Sequence, residues 1–251
     1  HAYDLEKGAD RMPGRFGGGG EFQLLPMTFE EFCEARTHAQ WNSSDRLQEL
    51  RAYFRTGGFP DAVASSGQSG KPSAAILKNY LRWLQGDAKK LGKDPERLTE
   101  LLIQLLKTTQ SSISFQTLAK KTSFGSPNTV IEYIRLMEAS FALRTLYAVD
   151  LDTGAKRFRS DKKFYFTDPL IYWISQDLAG DKPADDTQGA IAELVANEHL
   201  ARRYTRFGYF RNKKGEIDFI SPRDWCVEVK WSNVATNLSK TFFDTALAQK
   251  I

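Results

Sequence analysis

Two carboxylates and a lysine near the end of this sequence have the types and spacing that metal-assisted hydrolysis requires. Glu228 and Lys230 are two residues apart, and Asp218 precedes Glu228 by ten residues. On a strand, side chains two residues apart share one face, so on two paired strands all three side chains can converge. Two close carboxylates bind hard divalent ions such as Mg²⁺, while an ammonium orients water or stabilises transition-state charge. The predicted chemistry is phosphodiester hydrolysis, with Glu193 on the preceding helix supporting the metal or the base.

The same residues also have a simpler interpretation. Glu228 and Lys230 can form the solvated face of an amphipathic strand, because E-x-K alone is a weak signal. Asp218, however, lies between Ile217 and Phe219, whose apolar side chains point to the opposite face of their strand. This pattern favours a site in which Asp218 and Glu228 bind the metal and Lys230 acts on the water.

The elements that must position these residues follow one another as helix, three strands and helix. The apolar spacing predicts a helix over 191–203, strands over 209–211, 216–221 and 225–231, and a helix that begins at Leu238. The polar stretch 180–187 precedes them as a linker. We therefore predict a small α/β domain that begins near Gly189.

A second unit, upstream of this domain, has the spacing of a helix-turn-helix followed by a wing. Helices are predicted over 95–108, 115–122 and 128–141, and two strands over 146–149 and 156–166 enclose the turn Asp152–Gly154. Five cations on this wing are predicted to contact phosphates: Lys156, Arg157, Arg159, Lys162 and Lys163. The alternative is a winged helix that serves as a spacer between proteins.

The first part of the chain is predicted to be helical. Thr28 followed by Glu31 is a capping box that opens a short helix. Further helices are predicted over 46–54 and 74–91, with a Gly/Ser-rich loop over 65–73 between them.

Composition and charge exclude some classes of protein and favour others. The chain has 251 residues, of which 41% are hydrophobic and 26% charged, so a globular fold is expected. Cys33 and Cys226 lack the spacing of a zinc site or a disulfide framework, and no apolar stretch is long enough for a membrane span. A cytoplasmic protein without a membrane role is expected.

The net charge of +4 is unevenly distributed along the chain. Residues 107–163 contain ten Lys/Arg and five Asp/Glu, and residues 201–214 contain six Lys/Arg and no acidic residue. Two local basic stretches favour a polyanionic partner, although each can also be a solvated face.

Several motifs resemble those of a known family. Glu193, Gly215–Phe219 and Glu228–Lys230 together resemble the PD-(D/E)XK nuclease core. Further matches lie upstream at Gly14–Arg15, Leu25–Phe32, Tyr53–Pro60 and Lys163–Asp168. In this order, the motifs resemble the C-terminal part of archaeal-type AAA+ ATPases, which carry a winged helix and an endonuclease-like tail.

This resemblance implies a mixed α/β chain of three parts. Residues 1–92 would be the remnant of the ATPase core and its helical lid, residues 93–170 a winged-helix domain, and residues 189–251 a PD-(D/E)XK restriction-endonuclease-like domain. Mg²⁺ is the expected cofactor. The expected partners are nucleic acid, above all DNA, the ATPase core of the family, and a second copy of the chain.

The resemblance also implies ATP binding by a core that precedes these residues, with Arg15 approaching the nucleotide phosphates. Arg15 can equally be a surface arginine beside a glycine turn. Because the sequence contains no G-x-x-x-x-G-K-[ST] loop, this chain alone is not expected to bind or hydrolyse ATP. Two functions stay open: a Mg²⁺-dependent nuclease, and a non-catalytic module that binds DNA or a protein.

Overall fold

The computed structural model describes residues 24–232 and 237–251, and these form a mixed α/β fold of helices and two small antiparallel sheets. The helices are α1 (Phe29–His38), α2 (Arg46–Thr56), α3 (Pro60–Ser66), α4 (Ala74–Lys90), α5 (Pro95–Lys107), α6 (Phe115–Lys120), α7 (Pro127–Ala139), α8 (Pro169–Ala179), α9 (Thr187–Arg203) and α10 (Lys240–Gln249). The strands are β1 (Leu143–Tyr147), β2 (Lys162–Phe166), β3 (Gly208–Asn212), β4 (Gly215–Ser221) and β5 (Trp225–Val227). A 3₁₀ turn over Gly67–Ser69 follows α3.

Side-chain caps explain where the first helices begin. The Thr28 hydroxyl accepts the Glu31 amide at 3.2 Å and the Glu31 carboxylate accepts the Thr28 amide at 2.7 Å, so the predicted capping box is confirmed. Helices α3 and α8 were not among the sequence predictions. Each has a proline in its first turn, where the missing amide hydrogen costs nothing.

Helices α5, α6 and α7 pack beside the hairpin of β1 and β2. The leucines of α5 point inward, and Leu98, Leu101 and Leu105 are almost completely buried. Strand β1 pairs antiparallel with β2, from Leu143 opposite Phe166 to Tyr147 opposite Lys162. Both strands are shorter or shifted relative to the predicted ranges, and the chain between them forms a long loop over 148–161.

Strands β3, β4 and β5 form the second sheet in that order, with both pairs antiparallel. The predicted third strand over 225–231 ends at Val227. Glu228 and Lys230 therefore follow the strand and do not lie on it, which corrects the strand geometry expected for them.

One hydrophobic core runs through the described residues and crosses the predicted boundaries at residues 92 and 189. It contains Phe32 of α1, Leu102 of α5, Leu194 of α9 and Phe219 of β4. The two sheets also meet directly, because Ala148 bridges to Tyr209 and the Val149 amide donates to the Tyr209 carbonyl at 3.0 Å. This contact places the loop 148–161 beside the second sheet.

Within residues 24–232 and 237–251, no helix combines the length and the apolar character needed to cross a bilayer.

Candidate functional site

Lys163 lies at the centre of three carboxylates from two other elements. Its ammonium nitrogen is 2.9 Å from Glu193 Oε1 on α9, and 2.6 Å and 3.3 Å from Glu216 Oε1 and Asp218 Oδ1 on β4. The Lys163 side chain is only 2% exposed. We call Lys163, Glu193, Glu216 and Asp218 the Lys163 cluster.

Strand alternation brings these side chains together. Glu216 and Asp218 share one face of β4, while Ile217 and Phe219 are fully buried on the other face. On β2, Tyr165 is two residues from Lys163, and its hydroxyl donates to Glu193 Oε1 at 2.5 Å. The same face of β2 thus supplies Glu193 with both a cation and a hydroxyl donor.

Burial and charge act in opposite directions on Lys163. Desolvation by itself lowers the pKa of the ammonium, but Glu193, Asp218 and Glu216 more than offset it and hold the pKa above its ordinary value. Burial raises the pKa of Glu193, although Lys163 and Tyr165 act to lower it. Lys163 therefore stays a cation at neutral pH and does not serve as a base.

Glu228 and Lys230 form a second ion pair beside this cluster. The ammonium of Lys230 is 2.8 Å from Glu228 Oε1; Lys230 is 46% exposed, whereas the Glu228 side chain is only 6% exposed. The hydrogen bond to Glu228 raises the pKa of Lys230. Between them, the Val229 amide donates to Asp218 Oδ2 at 3.0 Å, so this segment folds back onto β4.

The predicted metal pair does not fit Mg²⁺ in this arrangement. Mg²⁺ requires near-octahedral oxygen ligands, yet the Lys163 ammonium lies between Glu193 and Asp218, at the point that a shared metal ion would take. Glu228 directs Oε1 at Lys230, so the predicted pair of Asp218 and Glu228 faces two different ammonium groups. No group of three or more His, Cys, Asp or Glu side chains in the described part of the chain is placed to hold a metal ion.

Two of the five predicted phosphate-binding cations are buried, which corrects their assignment. Lys163 belongs to the cluster above, and the Lys162 ammonium donates to the carbonyl oxygens of Phe158 and Ser160 at 2.8 Å each. Neither ammonium lies on a surface that a nucleic acid could contact. Lys156, Arg157 and Arg159 are exposed on the loop, and Arg157 is paired with Asp150 at 2.7 Å.

The loop that carries these three exposed cations contacts β3, which belongs to the second basic stretch of the sequence. Arg211, Lys213 and Lys214 are exposed on β3 and the turn after it. Two hydrogen bonds connect β3 with segments that precede α6 and β2: the Tyr209 hydroxyl donates to the Asp161 carbonyl at 2.6 Å, and Arg211 donates to the Ser112 hydroxyl at 3.0 Å. The joined basic region comprises six exposed cations: Lys156, Arg157, Arg159, Arg211, Lys213 and Lys214.

An aromatic side chain lies among the cations of the loop. Phe158, between Arg157 and Arg159, is 68% exposed, and its ring centre is 5.3 Å from that of Tyr147. Sequence reasoning did not single out Phe158, nor Glu216 and Tyr165 of the buried site. The spacing of Glu216 two residues before Asp218 was the signal that could have identified it.

Three of the upstream motifs meet at one buried carboxylate. Asp168 Oδ2 accepts the Gly58 amide at 2.7 Å, the Gly58 carbonyl accepts the Met27 amide at 2.7 Å, and the Tyr53 hydroxyl donates to the Met27 carbonyl at 2.9 Å. We call these contacts the Asp168 junction. Arg15, the predicted nucleotide contact, lies outside the described residues.

Comparison with known proteins gives one match. The family model described as a domain of unknown function (DUF8612) matches residues 47–176, more than half of the chain. No curated protein and no solved structure matches the sequence. The matched range includes Lys163 and the loop cations but ends before Glu193, Asp218 and Glu228.

Proposed function

The chain belongs to the DUF8612 family, and because that family has no described function, we propose from the geometry that this protein binds nucleic acid through the joined basic region. The observation that carries this proposal is the contact between two segments that carry exposed cations, 156–159 and 211–214, which are 52 residues apart in sequence. Cations brought together from distant segments create a local positive potential that a single charge run on a solvated face does not.

Phosphate contacts suit the exposed cations better than base readout does. Arginine and lysine neutralise phosphates and release counterions, which supplies most of the affinity for nucleic acid without regard to sequence. Phe158 adds an exposed ring between two of these cations, and aromatic rings among cations are typical of surfaces on which unpaired bases stack.

We propose that the protein binds nucleic acid without cleaving it, although carboxylates lie near the joined basic region. Arg211 lies 3.9 Å from Glu216, so the basic region adjoins the Lys163 cluster. The cluster, however, directs its carboxylates at Lys163, so an ammonium already occupies the point at which they converge. This favours the non-catalytic alternative over a Mg²⁺-dependent nuclease formed by Asp218, Glu228, Lys230 and Glu193.

We further infer that the helical segment before β1 and β2 is a winged helix and that the second sheet is a remnant of a nuclease-like core, as in the C-terminal part of AAA+ ATPases. The support is the Asp168 junction, in which Leu25–Phe32, Tyr53–Pro60 and Lys163–Asp168 contact one another. In that case ATP is a ligand of a separate nucleotide-binding core.

The binding proposal is tested with labelled single-stranded and duplex DNA by fluorescence anisotropy over a range of salt concentrations. Neutralising the three loop cations (Lys156→Ala, Arg157→Ala and Arg159→Ala) should weaken binding by about tenfold or more. It should also reduce the slope of log affinity against log salt by about 2 to 3, since each lost phosphate contact removes nearly one unit.

A matched control removes the same charge from α4 and the turn before it, with Lys71→Ala, Lys78→Ala and Lys89→Ala, all of which replace exposed side chains. The control should bind as the wild type does. Equal weakening in both variants, or no binding by the wild type at low salt, would show that the joined basic region is not a nucleic-acid site.

A further inference from the structure

Phe158 places an apolar ring on a turn whose geometry does not require one. The Ser160 amide donates to the Arg157 carbonyl at 3.1 Å, so residues 157–160 form a turn in which Phe158 is the second residue. Turns favour glycine, proline, asparagine, aspartate and serine, and exposing a phenyl ring to water is unfavourable. Phe158 is nevertheless 68% exposed. The folded chain alone therefore gives no reason for an aromatic residue at this position.

Hydrogen bonds hold the backbone of this turn in place. The buried Lys162 ammonium donates to the carbonyl oxygens of Phe158 and Ser160 at 2.8 Å each, and the Arg157 amide donates to the Ala148 carbonyl at 2.8 Å. These contacts satisfy an ammonium that would otherwise be costly to bury. A ring presented by a turn held in this way loses little backbone freedom when a ligand packs on it.

Tyr147 of β1 contacts both this ring and a cation of the same loop. Its ring centre is 5.3 Å from that of Phe158, and the Lys156 ammonium is 5.3 Å from the Tyr147 ring centre. Arg157 and Arg159, on either side of Phe158, are also exposed. A nucleotide matches an aromatic ring beside cations, since its base has an apolar face and its phosphate is negative.

The charges around the ring favour a polyanion over an apolar pocket on a protein. Residues 153–160 contain three cations and no carboxylate. A neutral apolar pocket would have to desolvate these cations without compensating them, whereas a nucleic-acid strand supplies both a phosphate for each cation and a flat face for the ring.

We propose that the joined basic region binds single-stranded nucleic acid, with Phe158 stacked on an unpaired base and Lys156 in contact with a neighbouring phosphate. In a duplex the neighbouring bases cover each base face, so the ring gains a partner only where a strand is unpaired. Phe158 then determines the preference for single strands, while the cations supply affinity for both forms. This inference rests on the proposed binding of nucleic acid by the region, which it narrows to unpaired strands.

Fluorescence anisotropy with a labelled single strand of DNA and a duplex of the same length tests the proposal. Phe158→Ala should weaken binding of the single strand by about tenfold, because one stacked base is lost. Binding of the duplex should change by less than about twofold. The slope of log affinity against log salt should stay the same for both, since no phosphate contact is removed.

A third probe, a strand of abasic sites, keeps the phosphates and lacks the bases. The wild type should bind it about tenfold more weakly than the normal single strand. Phe158→Ala should cause no further loss with this probe, because the partner of the ring is already absent. Phe158→Trp keeps an aromatic ring on the turn and should bind the normal single strand as the wild type does.

A matched control removes an exposed phenyl ring from another surface. Phe243 on α10 is 53% exposed, and Phe243→Ala should leave the affinities for all three probes unchanged. Because Phe158 is exposed as well, Phe158→Ala should keep a thermal midpoint close to that of the wild type, which verifies that the variant is folded.

Two results would overturn this inference and leave the proposed function in place. The first is an equal loss of single-strand and duplex binding in Phe158→Ala. The second is wild-type affinity of Phe158→Ala for the single strand, which would indicate that the ring contacts a protein instead. In both cases the variant without the three loop cations would still bind nucleic acid weakly. A wild type that binds none of the probes at low salt would overturn the proposed function and this inference together.

Discussion

Asp168 is a single carboxylate on which three distant segments depend. It is almost completely buried at the start of α8, where Oδ1 accepts the Leu170 amide at 2.7 Å and Oδ2 accepts the Gly58 amide at 2.7 Å. Burial raises its pKa from 3.8 to about 7, although the two amide hydrogen bonds act to lower it. A residue in this position links the stability of the fold to pH.

The direction of this linkage follows from the higher pKa in the folded state. The folded chain binds the proton of Asp168 more tightly than the unfolded chain does. The free energy of unfolding that this proton contributes is therefore complete below pH 3.8 and is lost as pH rises through about 7. We predict that the free energy of unfolding of the wild type, relative to Asp168→Asn, increases as pH falls from 7 to 4. Urea unfolding of both proteins across this range measures the difference, and a difference that grows with rising pH would contradict the prediction.

At the scale of elements, the turn between α2 and α3 fits its neighbours only because it contains glycine. A Cβ atom at Gly58 would lie 2.1 Å from the Met27 carbonyl oxygen, and Gly57 has φ of 75° with Asp168 against it. The contact with Met27 is to backbone, which cannot rotate away. The close approach of the segment before α1 to this turn therefore requires a residue without a side chain.

We predict that Gly58→Ala destabilises the fold by about 2 kcal/mol or more, because the segment before α1 must move away. The matched control is Gly86→Ala within α4, where nothing lies within 4 Å of the added Cβ. That substitution should instead stabilise by about 0.5–1 kcal/mol, since alanine loses less backbone entropy in a helix. Thermal unfolding of the two variants tests the contrast, and similar midpoints for both would contradict it.

Local signals predicted the helices well and the strands less well. Caps and apolar spacing lie within one helix, so the bounds of α2, α4, α5 and α7 were predicted to within about two residues. The end of β5 depends on Asp218, whose side chain takes the Val229 amide in place of a strand partner. Lys163 is buried because it pairs with carboxylates that are 30 and 55 residues away in sequence. The local run of cations around Lys163, which predicts a wing, does not include those carboxylates.

Two members of the Lys163 cluster, Glu193 and Asp218, were candidate site residues in the sequence, whereas Glu216 was not and Lys163 was assigned to another surface. Glu193 and Asp218 do approach each other, and Glu228 does pair with Lys230. Lys163 lies between the first two, although it was assigned to the phosphate-binding surface. The pairing of β1 with β2, the packing of β2 against α9 and the side-chain contacts between β2 and β4 bring that lysine to the carboxylates.

At the scale of the whole molecule, the continuous core couples the helical half to the second sheet. Leu194 on α9 is fully buried in the same core that contains Leu102 of α5 and Phe219 of β4. The bridge between Ala148 and Tyr209 adds a direct backbone connection between the two sheets. An unfolding event on one side therefore removes the packing surface of the other side.

We predict a single cooperative unfolding transition that both halves share. Trp83 on α4 and Trp225 on β5 report on the two halves, and fluorotryptophan labelling lets fluorine resonance follow each residue separately during urea unfolding. The two midpoints should coincide in the wild type. In Leu194→Ala, the free energy of unfolding followed at each tryptophan should fall by the same amount, about 2–5 kcal/mol, because the cavity lies between the halves. Midpoints that separate, or a shift confined to Trp225, would indicate that the second sheet unfolds independently and that the joined basic region is held together by surface contacts alone.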